Sequence, residues 1–184
     1  MNIENDNTQI KPRKVIFLDI DGVLQPNGEQ ERFRFNLDQL RKDLAEKFNN
    51  NQYLEMDKYD LGAVQYDWNP DAVERIRKLC IEGRAELVIS SDWRRYNPIN
   101  RLRDYFRLHN LHEYVTDYIP QLNGKMRPDE IEEYLLLNPE IERFVIIDDA
   151  YSSQFEALYP NNFVKCYRMI TEEDFNKALE ILTK

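Results

Sequence analysis

A three-layer α/β sandwich around a mainly parallel sheet is the fold this sequence predicts, on three observations. Short runs rich in β-branched residues alternate along the chain with segments of helical periodicity, the pattern of a parallel sheet covered on both faces. Three of those runs pass directly into polar residues: Val15-Ile16-Phe17-Leu18 into Asp19 and Asp21, Leu87-Val88-Ile89 into Ser90 and Ser91, and Val145-Ile146-Ile147 into Asp148 and Asp149. A length of 184 residues suits one domain with a real core and leaves little room for a second.

Residues 1–13 are polar and read as a flexible leader, and residues 14–184 as a single domain. The first strand is expected over Lys14 to Leu18. Leu37, Leu40, Leu44 and Phe48 recur at helical spacing before Asn49-Asn50-Asn51, which predicts one amphipathic helix. Gln52 to Trp68 mixes aromatic and acidic residues without a clear period and reads as irregular or as a short hairpin. Asn69-Pro70 then offers a cap with Pro at the first helical position, and Val73, Ile76 and Cys80 form an apolar stripe ending at Gly83.

Glu86 to Ser90 reads as a second buried strand, and Asn97-Pro98 repeats the cap signal for a helix through about Leu108. Tyr114 to Ile119 is the next candidate strand, Pro128 to Leu137 a helix, and Arg143 to Asp148 a strand that again runs from apolar into acid. Asn162 to Tyr167 reads as the last strand. Thr171 and Asp174 then open a C-terminal helix whose Phe175, Ala178, Leu179 and Leu182 share one face.

The bulk composition narrows the classes of function. With 25 basic and 34 acidic residues, a formal charge of −9 argues against coating nucleic acid or an anionic membrane through the overall field, while leaving room for a local basic site. Cys80 and Cys166 have no metal-ligand spacing and read as reduced core residues. No apolar leader segment and no run near the roughly 18 apolar residues of a membrane span is present, so a cytoplasmic protein without membrane association is expected.

In parallel sheets ligands gather beyond the carboxyl ends of the strands, which is where all three polar junctions fall. Carboxylates crowded together repel and would take up a proton unless a cation joins them. An all-oxygen set with a few carboxylates suits Mg²⁺, and a phosphoryl oxygen can complete its shell. With that charge offset by the metal and by a Lys or Arg, a free Asp can attack phosphorus and form an aspartyl-phosphate.

Asp19-Ile20-Asp21-Gly22-Val23 after an apolar strand, Leu87-Val88-Ile89-Ser90, and Val145-Ile146-Ile147-Asp148-Asp149 together resemble three motifs, in order, of the haloacid dehalogenase (HAD) superfamily of phosphotransferases. More narrowly, Ser90-Ser91-Asp92-Trp93-Arg94 and Arg127-Pro128-Asp129-Glu130-Ile131 resemble the small HAD domains associated with nucleic-acid repair proteins. The resemblance implies a Rossmann-like sandwich with a small cap or flap inserted after the first strand, here at about residues 25–68. It implies Asp19 as nucleophile, Asp21 as general acid/base with its backbone carbonyl on the metal, and Ser90 on the transferring phosphoryl group. Gly22 and Ser91 would join the substrate site, and Asp148, with Asp149 behind it, would hold Mg²⁺. The family also has a Lys that neutralises nucleophile and phosphate, and here two cations compete. Lys125 has the expected type and is preferred for the chemistry, whereas Arg127 has the position before a helix.

Arg94, Arg95, Arg101, Arg103 and Arg107 form a local reversal of charge, and Arg94 is expected at the rim as a phosphate contact. The other arginines read equally well as a solvated helix face. His109 and His112 lack a third metal ligand, and Trp68, Trp93, Tyr151 and Phe155 read as packing residues, with Tyr151 notable for following the acidic pair. The leading expectation is thus a Mg²⁺-dependent phosphomonoesterase acting on a phosphorylated small molecule or a nucleotide or polynucleotide end, with no stable protein partner. A phosphate-binding or regulatory module of the same fold is the runner-up. A receiver-like signalling domain fits poorly, because its phospho-acceptor lies on a middle strand.

Overall fold

The computed structural model describes residues 12–28 and 30–184, so most of the leader expected over residues 1–13 lies outside the described residues. Strands β1 (Arg13–Leu18), β2 (Glu86–Ile89), β3 (Val115–Tyr118), β4 (Ile141–Asp148) and β5 (Phe163–Lys165) form one sheet in the spatial order β3-β2-β1-β4-β5. Every pairing is parallel, with Leu18 opposite Ile89 on one side and Ile147 on the other. The mixed α/β sandwich expected from the alternation of elements is the observed architecture.

Among the described residues seven α-helices accompany the sheet: α1 (Leu37–Lys47), α2 (Lys58–Gly62), α3 (Pro70–Gly83), α4 (Ile99–Arg107), α5 (Arg127–Leu137), α6 (Ser152–Leu158) and α7 (Glu172–Thr183). The two-residue period of the strands sorts their side chains between two cores. Ile16, Leu18, Leu87, Ile89, Val145 and Ile147 pack with α1, α3, α4 and α7. Val15, Phe17, Val88 and Ile146 face the other way, toward Ile131 and Tyr134 of α5 and Phe155 of α6. Val15 to Leu18 are wholly buried, as are Leu87 to Ser90 and Val145 to Asp148, so the ends of three strands that carry the polar junctions lie in the core.

Helix ends follow local chemistry. The Asn69 side chain accepts from the backbone N–H groups of Asp71 and Ala72 at 2.9 and 3.1 Å, capping α3 as expected. Thr171 and Asp174 form a reciprocal capping box at the start of α7. Gly83, read as a stop, instead lies inside α3, and Arg84 takes the left-handed conformation at φ 52°. The glycine serves packing: a Cβ there would stand 2.8 Å from Leu182 Cδ1 of α7. Asn97 does not cap α4 either, since its amide donates to the Trp93 carbonyl at 2.9 Å.

The irregular stretch or hairpin expected over Gln52 to Trp68 is overturned. A 3₁₀ turn at Asn51–Leu54 precedes α2 and a π-helical turn at Ala63–Asp67 continues from it, and Asp57 Oδ1 caps that helix through the N–H groups of Tyr59 and Asp60. Each piece is about one turn long, too short for a period to register in sequence. The insertion therefore holds more than one helix, and Tyr53, Met56, Leu61 and Val64 bury it into the main core. Helix α6, unexpected from sequence, is similarly short. No helix among the described residues is long and apolar enough to cross a membrane.

Candidate active site

The backbone ladder of the sheet delivers the three polar junctions to one rim. The Asp19 N–H donates to Ile147 O at 3.0 Å, and the N–H groups of Ser90 and Ser91 both donate to Leu18 O, at 3.0 and 3.3 Å. Each polar residue is thus the next rung after a wholly buried strand. Beyond Asp19 the chain closes a tight loop in which Gly22 N–H donates to Gln25 O at 2.8 Å. Gly22 has φ +74°, and a Cβ on it would fall 2.1 Å from Asp149 Oδ2, so this residue makes room for the acidic pair of β4.

Asp19, Asp148 and Asp149 each offer a carboxylate oxygen, all within 4.8 Å of one another. Asp148 is fully buried, and its Oδ1 accepts from Ala150 N–H at 2.8 Å. Burial, with the charge of Asp19 added, raises its carboxyl to about 7, against the pull of Arg127. Asp149 accepts from the Asn27 amide at 2.9 Å. The Asp21 carboxyl stands apart from this trio and accepts from the Trp93 indole N–H at 3.0 Å. Burial raises it as well, the Trp93 bond opposes that, and the charges of Asp19 and Asp149 add to it.

The two candidate cations separate. Arg127, the first residue of α5, is buried and places Nη1 at 2.8 Å from Asp19 Oδ2 and 2.6 Å from Asp148 Oδ2. Its Nη2 reaches Asp92 at 3.5 Å, and its guanidinium lies 5.3 Å from the centre of the Tyr151 ring. The carboxylates hold its proton more firmly than usual despite the opposing effect of burial. Lys125 is exposed in the turn closed by its N–H on Leu122 O and makes no ion pair among the described residues. The geometry therefore puts Arg127, and not the preferred Lys125, against the acids. Tyr151, in the left-handed conformation at φ 50°, packs on that cation.

Arg94 requires a correction. Its guanidinium is buried and spent on protein partners: Ile119 O at 3.2 Å, Ser90 O at 2.6 Å, Ser91 O at 2.8 Å, and the carboxylate of Glu130. Glu130, itself buried, also accepts from Leu122 N–H at 2.9 Å. With four of its five N–H donors on these partners and the whole group buried, Arg94 pins the loop after β2 to α5 and is not the rim phosphate contact expected. The sequence gives no sign of this pairing across 36 residues, nor of the Trp93 contact to Asp21 across 72.

Ser90 and Ser91 are buried, and their hydroxyls have no hydrogen-bond partner among the described residues. Buried hydroxyls are normally satisfied, so two orphans beside the carboxylates mark where an oxygen-rich ligand group would sit. Elsewhere the bland readings hold. Trp68 packs against Phe106 and His109, and His109 Nε2 meets Val64 O at 2.8 Å, with burial lowering its basicity.

A sandwich with an acid-and-serine rim at the carboxyl ends of parallel strands defines an HAD domain, a class made up generally of phosphatase-type hydrolases. Over residues 15–175 the chain matches the family described as the HAD domain in Swiss Army Knife RNA repair proteins, and it belongs to that family. Comparison with curated proteins and with solved structures found no match.

Proposed function

We propose that this protein is a Mg²⁺-dependent phosphomonoesterase that works through an aspartyl-phosphate on Asp19, with a nucleotide or polynucleotide end phosphate as substrate. The observation that carries the reading is the arrangement around Asp19: Arg127 on one side, the unpartnered hydroxyls of Ser90 and Ser91 near the same strand ends, and Asp148 and Asp149 alongside. The donor set, three carboxylates and no sulfur or imidazole, fits a hard divalent cation. Asp19, Asp148 and Asp149 would hold it, together with the Asp21 carbonyl. When bound, the ion offsets the carboxylate charge and polarises the phosphoryl group.

An Asp19 carboxylate oxygen attacks phosphorus, forming the Oδ–P bond as the bond to the leaving oxygen breaks. Asp21, whose raised proton affinity suits a general acid, donates its proton to that oxygen. A water then attacks phosphorus, Asp21 recovers a proton from it, and the Oδ–P bond breaks to release inorganic phosphate. Arg127 and the Ser90 and Ser91 hydroxyls would meet the charge on the equatorial phosphoryl oxygens. The description of the family as belonging to RNA repair proteins supports the nucleic-acid end as substrate. The unpaired, buried cysteines are consistent with a cytoplasmic location.

The test is Mg²⁺-dependent release of phosphate from a panel of nucleoside monophosphates, small sugar phosphates and 3′- and 5′-phosphorylated oligonucleotides. Turnover lost in Asp19→Asn is expected. Full activity in that variant would refute the mechanism, and hydrolysis of small sugar phosphates alone would refute the substrate class.

A further inference from the structure

Beside the rim lies a hollow of about 180 Å³ lined by Asp60, Asp92, Trp93, Tyr96 and Asn97, of which Asp92 is reached by Arg127 Nη2 at 3.5 Å. Trp93 is the wall it shares with the catalytic rim, since the same indole donates to Asp21 Oδ2. Tyr96 follows the single 3₁₀ turn Asp92–Arg95, and its N–H points back to Trp93 O at 3.5 Å. Residues three apart eclipse in such a turn, which sets the two rings on the same side of it. Trp93 is braced edge-on by Tyr105 at 5.4 Å, whereas the Tyr96 ring is 83% exposed and has no aromatic partner among the described residues.

An exposed tyrosine alone is ordinary. What distinguishes this one is its place relative to the proton donor. If Asp21 protonates the leaving oxygen, as proposed above, then the carbon skeleton of the leaving group extends from Asp21, and the hollow behind Trp93 is adjacent ground. For an end phosphate, that leaving group is the terminal nucleoside. The hollow's charge is also informative. Asp60 and Asp92 bring carboxylates, which would repel a second phosphate but accept hydrogen bonds from an exocyclic amine. Asp92 is already engaged by Arg95 at 3.0 Å and by Arg94 and Arg127 at 3.5 Å, while among the described residues the Asp60 carboxylate takes one hydrogen bond, from the Tyr105 hydroxyl at 3.3 Å on its Oδ2.

We infer that this hollow is a base subsite: Tyr96 stacks on the base of the terminal nucleoside, and Asp60 accepts from its exocyclic amine. The inference rests on the phosphatase reading only for the direction of the leaving group. Binding here comes from a ring face and a carboxylate, so the site discriminates bases and not phosphates. Cytosine, with an amine where uracil has a carbonyl oxygen, is the better fit.

The experiment compares kcat/KM for CMP, UMP and ribose 5-phosphate in the full chain with Mg²⁺, in wild type, Tyr96→Ala, Tyr96→Phe and Asp60→Asn. The ratio of CMP to ribose 5-phosphate is expected to fall roughly tenfold in Tyr96→Ala, the scale of one base–aromatic stack, and to survive in Tyr96→Phe. The preference for CMP over UMP is expected to collapse in Asp60→Asn, whose amide can serve either base. If no phosphomonoester is hydrolysed, the phosphatase reading fails separately, and the subsite is then read by cytidine, which has no phosphate. Saturable quenching of tryptophan emission by cytidine, abolished in Tyr96→Ala, would support it. Unchanged ratios in Tyr96→Ala, or in the absence of turnover no quench that Tyr96→Ala removes, would overturn it. A preference for O-phosphotyrosine over CMP would overturn it too, by assigning the hollow to a peptide side chain.

Discussion

Replacing Arg127 with Met keeps the length of the side chain and removes the charge that bridges Asp19 and Asp148. Those acids offer oxygens within 4.8 Å of one another, so at an effective dielectric of about 20 their mutual repulsion is at least ~3.5 kcal/mol. That repulsion is now met by one buried guanidinium nitrogen at 2.8 and 2.6 Å. Breaking a buried charge network by removing one partner typically costs 3–5 kcal/mol, and the repulsion falls in the same range. With a urea slope of roughly 2 kcal/mol per molar, the midpoint should drop by about 2 M in EDTA at a pH well above the Asp148 carboxyl's value of about 7, where both acids are ionised. If Mg²⁺ binds the same carboxylates, as proposed above, it should raise the midpoint of Arg127→Met more than that of wild type. The assay is urea unfolding followed by circular dichroism, with EDTA and with Mg²⁺. An Arg127→Met midpoint within error of wild type in EDTA, or an equal Mg²⁺ increment in both proteins, would refute the view that Arg127 and the metal answer the same charge.

Other perturbations separate stability from function. Ser90→Ala deletes a buried hydroxyl without a partner, so the fold should be unchanged or slightly firmer, while KM for a phosphomonoester rises; a clear loss of thermal stability would show that the hydroxyl is already satisfied. Glu130→Gln leaves the Arg94 charge buried and should cost about 3–5 kcal/mol in urea unfolding, whereas the double change Arg94→Met with Glu130→Leu should recover most of it. A double variant no more stable than Glu130→Gln would argue against the pair's being the cause. Asp148 and Asp21 have carboxyls raised above the usual 3.8, so the native state holds more protons than the unfolded chain between about 4 and 7. Metal-free stability should therefore be highest below that window and decline as pH rises through it. Asp148→Asn should flatten the slope in EDTA, and an unaltered slope would count against the assignment.

Much of this was legible because chemistry and core share one pattern. An apolar run buried on both faces cannot end gradually, so Asp19, Ser90 and Asp148 announce themselves as the first polar residues after Leu18, Ile89 and Ile147. The cap at Asn69 and the box at Thr171 are local and equally plain. What stayed hidden depends on contacts between distant segments or on pieces too short to show a period. Arg94 looked like a free cation because its partners are three carbonyls and a glutamate on another helix. Lys125 looked right by residue type, but the turn at Gly124 sends it outward, while Arg127 at the first position of α5 points in. The role of Gly83 lies in its distance to Leu182, which no local signal carries.

An Arg in place of a Lys opposite Asp19 has a physical consequence. A lysine ammonium is a point charge that could approach both acids but would leave its flanks undefined. The Arg127 guanidinium touches Asp19 and Asp148 with one nitrogen, reaches Asp92 with the other, and rests on the Tyr151 ring, so its plane is fixed from several sides. The acids it bridges are themselves fixed by backbone: Asp19 N–H on Ile147 O, and Asp148 O receiving Cys166 N–H at 2.9 Å. Leu18 O, taking both serine N–H groups, sets the third junction by the same means. The positions of Asp19, Ser90 and Asp148 are thereby set by the sheet ladder at the buried end of β1. Such preorganisation requires little rearrangement when charge develops, which is where most electrostatic catalysis originates.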